Sequence, residues 1–171
     1  MNILGKIARK FTPYPYKFIY QKPDTAVRSK LRQDVVRLNV GEKVFIEIYW
    51  KDVELGRGPA IILNIQGYEI MRFDCFGSPG GHYHIKVTEW HRCSEHRLQM
   101  PEPTPEAQIE RALFEIRYNN RWVLDRHPLS RVRKVIIDND QLHAATENAR
   151  GILLSYINLP EVQTPTVNDL N

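Results

Sequence analysis

From residue 34 onward, apolar and polar positions alternate with a period of two, the signature of half-buried strands. Val36, Leu38 and Val40 alternate with Arg37 and Asn39, and Gly41-Glu42 supplies a turn. Val44, Ile46, Ile48 and Trp50 then alternate with Phe45, Glu47 and Tyr49. Residues 51–59, which carry Gly56 and Gly58, read as a loop. Two further runs, 60–65 and 68–75, flank Gln66-Gly67, whose glycine in second place favours a tight two-residue hairpin. Residues 82–90 are a fifth strand. An uninterrupted register from that hairpin pairs Ile61 with Arg72. It puts Arg72 and Asp74 on the face of Leu63 and Ile65, with Met71, Phe73 and Cys75 beside Ala60 and Ile62 opposite. Both faces are then apolar, which predicts a central strand covered on each side.

Beyond the Pro-rich stretch 100–105 the period changes to that of a helix. Thr104 is a capping residue, Pro105 suits the first helical position, and Glu106 places negative charge near the helix start. Ile109, Ala112, Leu113 and Ile116 follow as a stripe, and the helix ends before Pro128. Residues 131–137 are expected as another strand. Asp138 or Asp140 caps a last helix that turns Leu142, Ala145, Ala149 and Ile152 or Leu153 inward, with Gly151 its weak point. Strands first and helices afterwards predict an α+β fold: an antiparallel five- to six-stranded meander, two main helices and a basic N-terminal arm. The expected organisation is an arm over 1–33, a single domain over 34–160 and a loose tail over 161–171.

The length of 171 residues suits one domain with a core of its own. The longest apolar runs, 60–63 and 151–154, fall far short of the roughly 20 residues a membrane helix needs. Two cysteines, Cys75 and Cys93, make no disulfide framework, so a soluble cytoplasmic protein is the expectation. The net charge of +4 is unevenly spread: residues 1–33 hold eight Lys and Arg against Asp24 alone. Ile3, Leu4, Ile7 and Phe11 share a helical face in that arm, and Tyr14, Tyr16, Phe18 and Tyr20 alternate after it. Lys6, Arg9, Lys10 and Lys17 are thus candidate contacts to RNA or another anionic partner. A solvated terminus packed on the domain through its aromatic side explains the same pattern.

The candidate chemistry lies in Arg72-Phe-Asp-Cys-Phe-Gly-Ser-Pro-Gly-Gly-His-Tyr-His-Ile85. Pairing Cys75 with His82 sends both histidines to the face of Phe73 and Cys75. Pairing Asp74 with His84 gathers Arg72, Asp74, His82 and His84 on one face. Gly80-Gly81 accommodates either, and a one-residue slip decides between them. The quartet Arg72, Asp74, His82 and His84 is the candidate catalytic set, able to move protons and hold an anion as phosphodiester cleavage requires. His82, His84 and Cys75 are candidate ligands for zinc, with His91, Cys93 and His96 close in sequence. No Cys-x-x-Cys or His-Glu-x-x-His spacing supports the metal reading. The plain alternative has Arg72 and Asp74 pair with each other while the histidines order a glycine turn. Arg131 and Arg133, on one face of the expected strand, are a further place to hold phosphate. No Walker, dinucleotide or nucleophile-elbow context is present. Whether the protein is an enzyme stays open at this point.

The run Glu69-Ile-Met-Arg-Phe-Asp-Cys-Phe-Gly77, followed by Pro79 and Gly81-His82-Tyr83-His84, resembles a signature of small bacterial domains of unknown function. These share a short meander, an Arg-(Phe/Tyr)-Asp strand end, a glycine turn, a histidine-bearing strand and a closing helix. The resemblance spans residues 34–125 and is pattern rather than identity outside 69–85; it implies a fold and brings no activity. The same stretch is similar to small toxin-like proteins of toxin–antitoxin pairs, which would imply RNA or nucleotide as substrate. Gly80 and the basic arm depart from the compact forms of that group. The expected function is a ligand or partner site at the 72–85 hairpin. Alternatives are a metal-independent RNase-like enzyme or a zinc-dependent hydrolase using the same residues, or nucleic-acid or anionic-surface binding through the arm.

Overall fold

The alternating segments fold as six antiparallel strands that follow one another across a single sheet. In this computed structural model, which describes residues 32–85 and 97–158, they are β1 (Arg32–Gly41), β2 (Val44–Val53), β3 (Gly56–Ile65), β4 (Tyr68–Asp74), β5 (His82–Ile85) and β6 (Leu98–Gln99). Four helices come after them: α1 (Pro105–Tyr118), α2 (Asn120–Asp125), α3 (Ser130–Arg133) and α4 (Asn139–Asn158). The expected α+β meander with two long helices is therefore the observed architecture. The arm with Lys6, Arg9, Lys10 and Lys17, the segment with His91, Cys93 and His96, and the C-terminal tail lie outside the described residues. Among the described residues, no helix is long and apolar enough to cross a membrane.

Three local readings are corrected. The tight hairpin forms as expected, with Gln66 at φ 54° and Gly67 at φ 82° in the left-handed region that primed turns demand. Its register does not run on uninterrupted. Ile65 faces Tyr68 and Asn64 faces Glu69, but Leu63 then faces Met71 and Ile62 faces Arg72. A β-bulge at Ile70 inserts one residue, so Ile70 and Met71 both enter the apolar core. Arg72 and Asp74 consequently join Ile62 and Ala60, not Leu63 and Ile65. The second correction concerns residues 51–59, where β2 continues to Val53 and β3 begins at Gly56. Gly56 is no loop signal; a Cβ there would lie 2.9 Å from the Phe76 ring, so the glycine makes room for that ring. Third, residues 131–137 are not a strand. Arg133 folds back to donate to the carbonyls of His127 and Pro128 at 2.7 and 2.8 Å, closing the turn of α3. Arg131 instead reaches the Tyr68 hydroxyl. The two guanidiniums thus share no strand face on which to hold phosphate.

The helical boundaries follow their capping chemistry. Thr104, in extended conformation, accepts from the Ala107 N–H at 3.3 Å, and Pro105 opens α1. The helix expected to run toward Pro128 is interrupted at Asn119, yet Asn119 N–H still donates to Glu115 and Val123 N–H to Asn119. The stripe therefore carries on through α2. Asp138, rather than Asp140, caps α4, accepting from the N–H groups of Asp140 and Gln141 at 2.9 and 3.0 Å. Leu142, Ala145, Ala149 and Leu153 turn inward.

Burial is unequal on the two faces of the sheet. One face carries Ile46, Ile48, Ile61, Leu63, Met71 and Phe73 into a core closed by Ile109, Leu113 and Ile116 of α1 and by Leu142, Ala149 and Leu153 of α4. The apolar area removed from water there drives folding, and trimming one of these aliphatics to alanine costs about 2–5 kcal/mol. Among the described residues of the opposite face, Tyr49, Ala60 and Ile62 form a small buried apolar group. Around it lie Phe45, Asn64 and a series of charged side chains.

Candidate functional site

The charged face is built by strand alternation. In β4, Arg72 and Asp74 point to the same side, and β5 pairs Arg72 with His84 and Asp74 with His82. The four candidate residues therefore share a face. The register is two residues tighter than a pairing of Asp74 with His84, and the pairing of Cys75 with His82 does not occur. Two residues that the sequence reading missed complete the set. Lys51 arrives from β2, lying opposite Gly58 of β3, and the next small residue of that face, Ala60, is opposite Asp74. Glu69 precedes the bulge, which is why it and Arg72, three apart, reach the same face. The alternation of Lys51 with Trp50 and its position two beyond Tyr49 were the available signal, hidden by reading 51–59 as a loop.

Asp74 Oδ2 is the hub. It lies 2.9 Å from Lys51 Nζ, 3.1 Å from His82 Nε2 and 3.4 Å from Arg72 Nε. Arg72 Nη1 also reaches Glu69 Oε1 at 3.1 Å. Burial alone would raise the Asp74 carboxyl's pKa, but the His82 hydrogen bond and the charges of Arg72 and Lys51 outweigh it and hold the group well below the usual carboxylate range. Burial lowers the Lys51 pKa, with Asp74 opposing. For Arg72 burial also works against the charge, and Glu69 and Asp74 overcome it to raise its pKa.

The open hollow expected of a catalytic quartet is not what forms. Asp74 is 0%, His82 4% and His84 1% exposed. Only the Lys51 and Arg72 side chains, at 15% and 17%, meet solvent at the rim. Among the described residues, the buried Asp74 Oδ1 has no hydrogen-bond partner.

The His82 ring carries a constraint in its hydrogen bonds. Its Nδ1 lies 2.8 Å from the Gly80 carbonyl, which can only accept, so Nδ1 carries a hydrogen and donates. Nε2 then faces the Asp74 carboxylate oxygen. Two lone pairs cannot rest 3.1 Å apart in a dry site, so a positive centre belongs between them: a proton, giving an imidazolium, or a metal ion. Donation from the second ring nitrogen to a backbone carbonyl is also the usual support for a metal-ligating histidine.

The glycine turn that presents the histidines is rigidly tied. Gly77 N–H donates to Gln108 Oε1 at 2.9 Å, and Gln108 Nε2 donates to the Glu102 carbonyl at 2.8 Å. Ser78 N–H donates to Pro103, Gly81 N–H to Gly77, and Met100 N–H to Gly81. A Cβ on Gly81 would sit 2.0 Å from the Gln108 carboxamide, so a side chain there would push that group off its bonds to Gly77 and Glu102. The peptide between Ser78 and Pro79 is cis.

Donor atoms of Asp74, His82 and His84 all lie within 4.8 Å of one another, and this buried group could hold a metal ion. Cys75, the third ligand expected from the sequence, takes no part. It sits fully buried in the apolar core on the other face, where burial pushes its thiol pKa well up. Asp74 stands in its place. Elsewhere, a groove beside α2 and the start of α4 is lined by Arg117, Arg121 and His143, but its arginines are already paired with Glu147 and Asp125. Comparison with protein-family models, curated proteins and solved structures finds no match for the chain, so the functional reading rests on this geometry.

Proposed function

We propose that the protein binds a divalent transition-metal ion through Asp74, His82 and His84, with zinc the first candidate by donor chemistry. The supporting observation is the 3.1 Å approach of His82 Nε2 to Asp74 Oδ2 while Nδ1 is held by Gly80. Ligands about 2.0–2.2 Å from a tetrahedral zinc lie roughly 3.3 Å from each other, close to that separation. Lys51 and Arg72 partly neutralise Asp74 already, so an entering ion displaces Lys51 from the carboxylate and binds less tightly than at an unencumbered triad. The same two cations at the rim suit a small anionic fourth ligand.

The metal-free acid–base reading, toward which the toxin-like resemblance points, requires a phosphodiester to reach imidazoles that are almost fully covered. A single ion needs far less access than a phosphodiester does. Titration calorimetry with Zn²⁺ and the visible spectrum with Co²⁺ decide between them. One ion per chain, lost in His84→Ala and in Asp74→Asn, is the expected result. A folded protein that takes up neither ion sinks the proposal. RNA cleavage abolished by His82→Ala/His84→Ala in the absence of metal would put the acid–base reading in its place.

A further inference from the structure

The outer surface of α1 and α2 carries three large aromatics that stay open among the described residues: Phe114 at 52%, Tyr118 at 62% and Trp122 at 51% exposed. They are spaced four apart along one stripe, with the Phe114 and Tyr118 rings 5.0 Å between centroids and the Arg126 guanidinium 4.1 Å above Trp122. Exposed apolar groups in a row, unlike scattered ones, mark a contact surface.

The residues around this stripe form a pattern that selects its occupant. Read outward from Tyr118, three pairs of exposed positions mirror one another: Phe114 against Trp122, Arg111 against Asp125, Glu110 against Arg126. Aromatic meets aromatic and each charge meets its opposite. We propose that this face takes a second copy of the same chain, with the helices antiparallel about a twofold axis through Tyr118. Such a contact is isologous: what one protomer offers at 110 the other answers at 126. A parallel arrangement would set Glu110 on Glu110 and Asp125 on Asp125, which like-charge repulsion penalises.

In the single chain these charges have local partners. Glu110 accepts from Arg150 at 2.7 Å, Arg111 from α1 donates to Glu115 at 2.7 Å, and Asp125 accepts from Arg121. Exposed pairs of this kind contribute little, so exchanging them across an interface costs little, and their pattern sets orientation more than affinity. The attraction comes from the aromatics. Half-exposed rings leave about 100 Å² each outside, so the stripe offers about 300 Å² per protomer, well below the roughly 800 Å² of a standard interface. The dimer is accordingly weak and concentration-dependent.

Sedimentation velocity of the full chain from about 10 µM to 1 mM tests this range of affinity. A monomer–dimer equilibrium is expected. Tyr118→Glu, which places two carboxylates on the axis, should weaken it at least tenfold, and circular dichroism should show the monomer still folded. Glu110→Arg and Arg126→Glu should each weaken association, whereas both changes in one chain restore it. A chain monomeric throughout, a dimer untouched by Tyr118→Glu, or a double swap that regains nothing overturns the proposal. So does a monomer that uses Tyr118 to bind a single-stranded oligonucleotide.

Discussion

Asp74 and His82 stand directly opposite each other in neighbouring strands, with His82 Nε2 3.1 Å from Asp74 Oδ2 and both side chains closed to water. The carboxylate serves Lys51 and Arg72 at the same time, so its removal takes the ion-pair partner from a largely buried lysine and leaves Arg72 with Glu69 alone. Asp74→Ala is expected to destabilise the fold by about 3–5 kcal/mol, the range for breaking one member of a buried ion network. Urea denaturation checks it; a change under 1 kcal/mol would show that the network contributes little.

His127 supplies the pH dependence. Burial, then the charges of Arg133 and Arg131, hold its pKa down to about 4 from 6.5. Above 6.5 the ring is neutral in folded and unfolded chains alike. As pH falls from 6.5 toward 4, the unfolded chain takes a proton that the folded one refuses, so stability drops across that window and levels off below it. The urea midpoint measured at pH 7.5, 5.5 and 4.5 should decline stepwise, and His127→Gln should flatten the decline.

Gly81→Ala tests the seat of the turn on α1. The added methyl would overlap the Gln108 carboxamide at 2.0 Å, and overpacking of this sort costs about 1–3 kcal/mol. Gln108→Ala removes both the clash and the hydrogen bonds to Gly77 and Glu102. The double variant should therefore be more stable than the sum of the single losses implies. Strict additivity of the melting shifts would argue that the two residues do not meet.

Cys75 should behave as an inert core residue. Its thiol is fully buried and its pKa is pushed well up by that burial, so little thiolate forms at neutral pH. In a Cys93→Ser background, a disulfide reagent should label Cys75 only under denaturing conditions. Labelling of the native protein at the rate of a free thiol would contradict this placement.

Much of the fold was legible because strand alternation and helix caps are local signals. Val44 to Trp50, the Gln66-Gly67 hairpin, Thr104 and the Asp138 cap all appear where their chemistry placed them. The bulge at Ile70 was not legible: Ile70 and Met71 are both apolar, and no turn residue marks the extra position. That single insertion decided which aliphatics Arg72 and Asp74 would join. The same-face gathering of Arg72, Asp74, His82 and His84 was one of two outcomes the sequence allowed, but the observed register is neither of the two pairings that it offered. The partner that Asp74 finds in Lys51 could not be read, because it comes from a strand that the glycines at 56 and 58 had disguised as a loop. Residues 131–137 misled for another reason. Their alternation is genuine, but Arg133 finds its acceptors in the preceding carbonyls rather than in a neighbouring strand.

The strand β5 is only four residues long, and its own ladder of backbone bonds gives it little hold on the sheet. The His82 imidazole adds to that hold, through a carboxylate that is itself anchored by a lysine two strands farther in. Peeling β5 and the two-residue β6 away from β4 thus entails dissolving an ionic knot, and the amide protons of Tyr83 and Ile85 should exchange with deuterium at a tempo governed by the health of that knot.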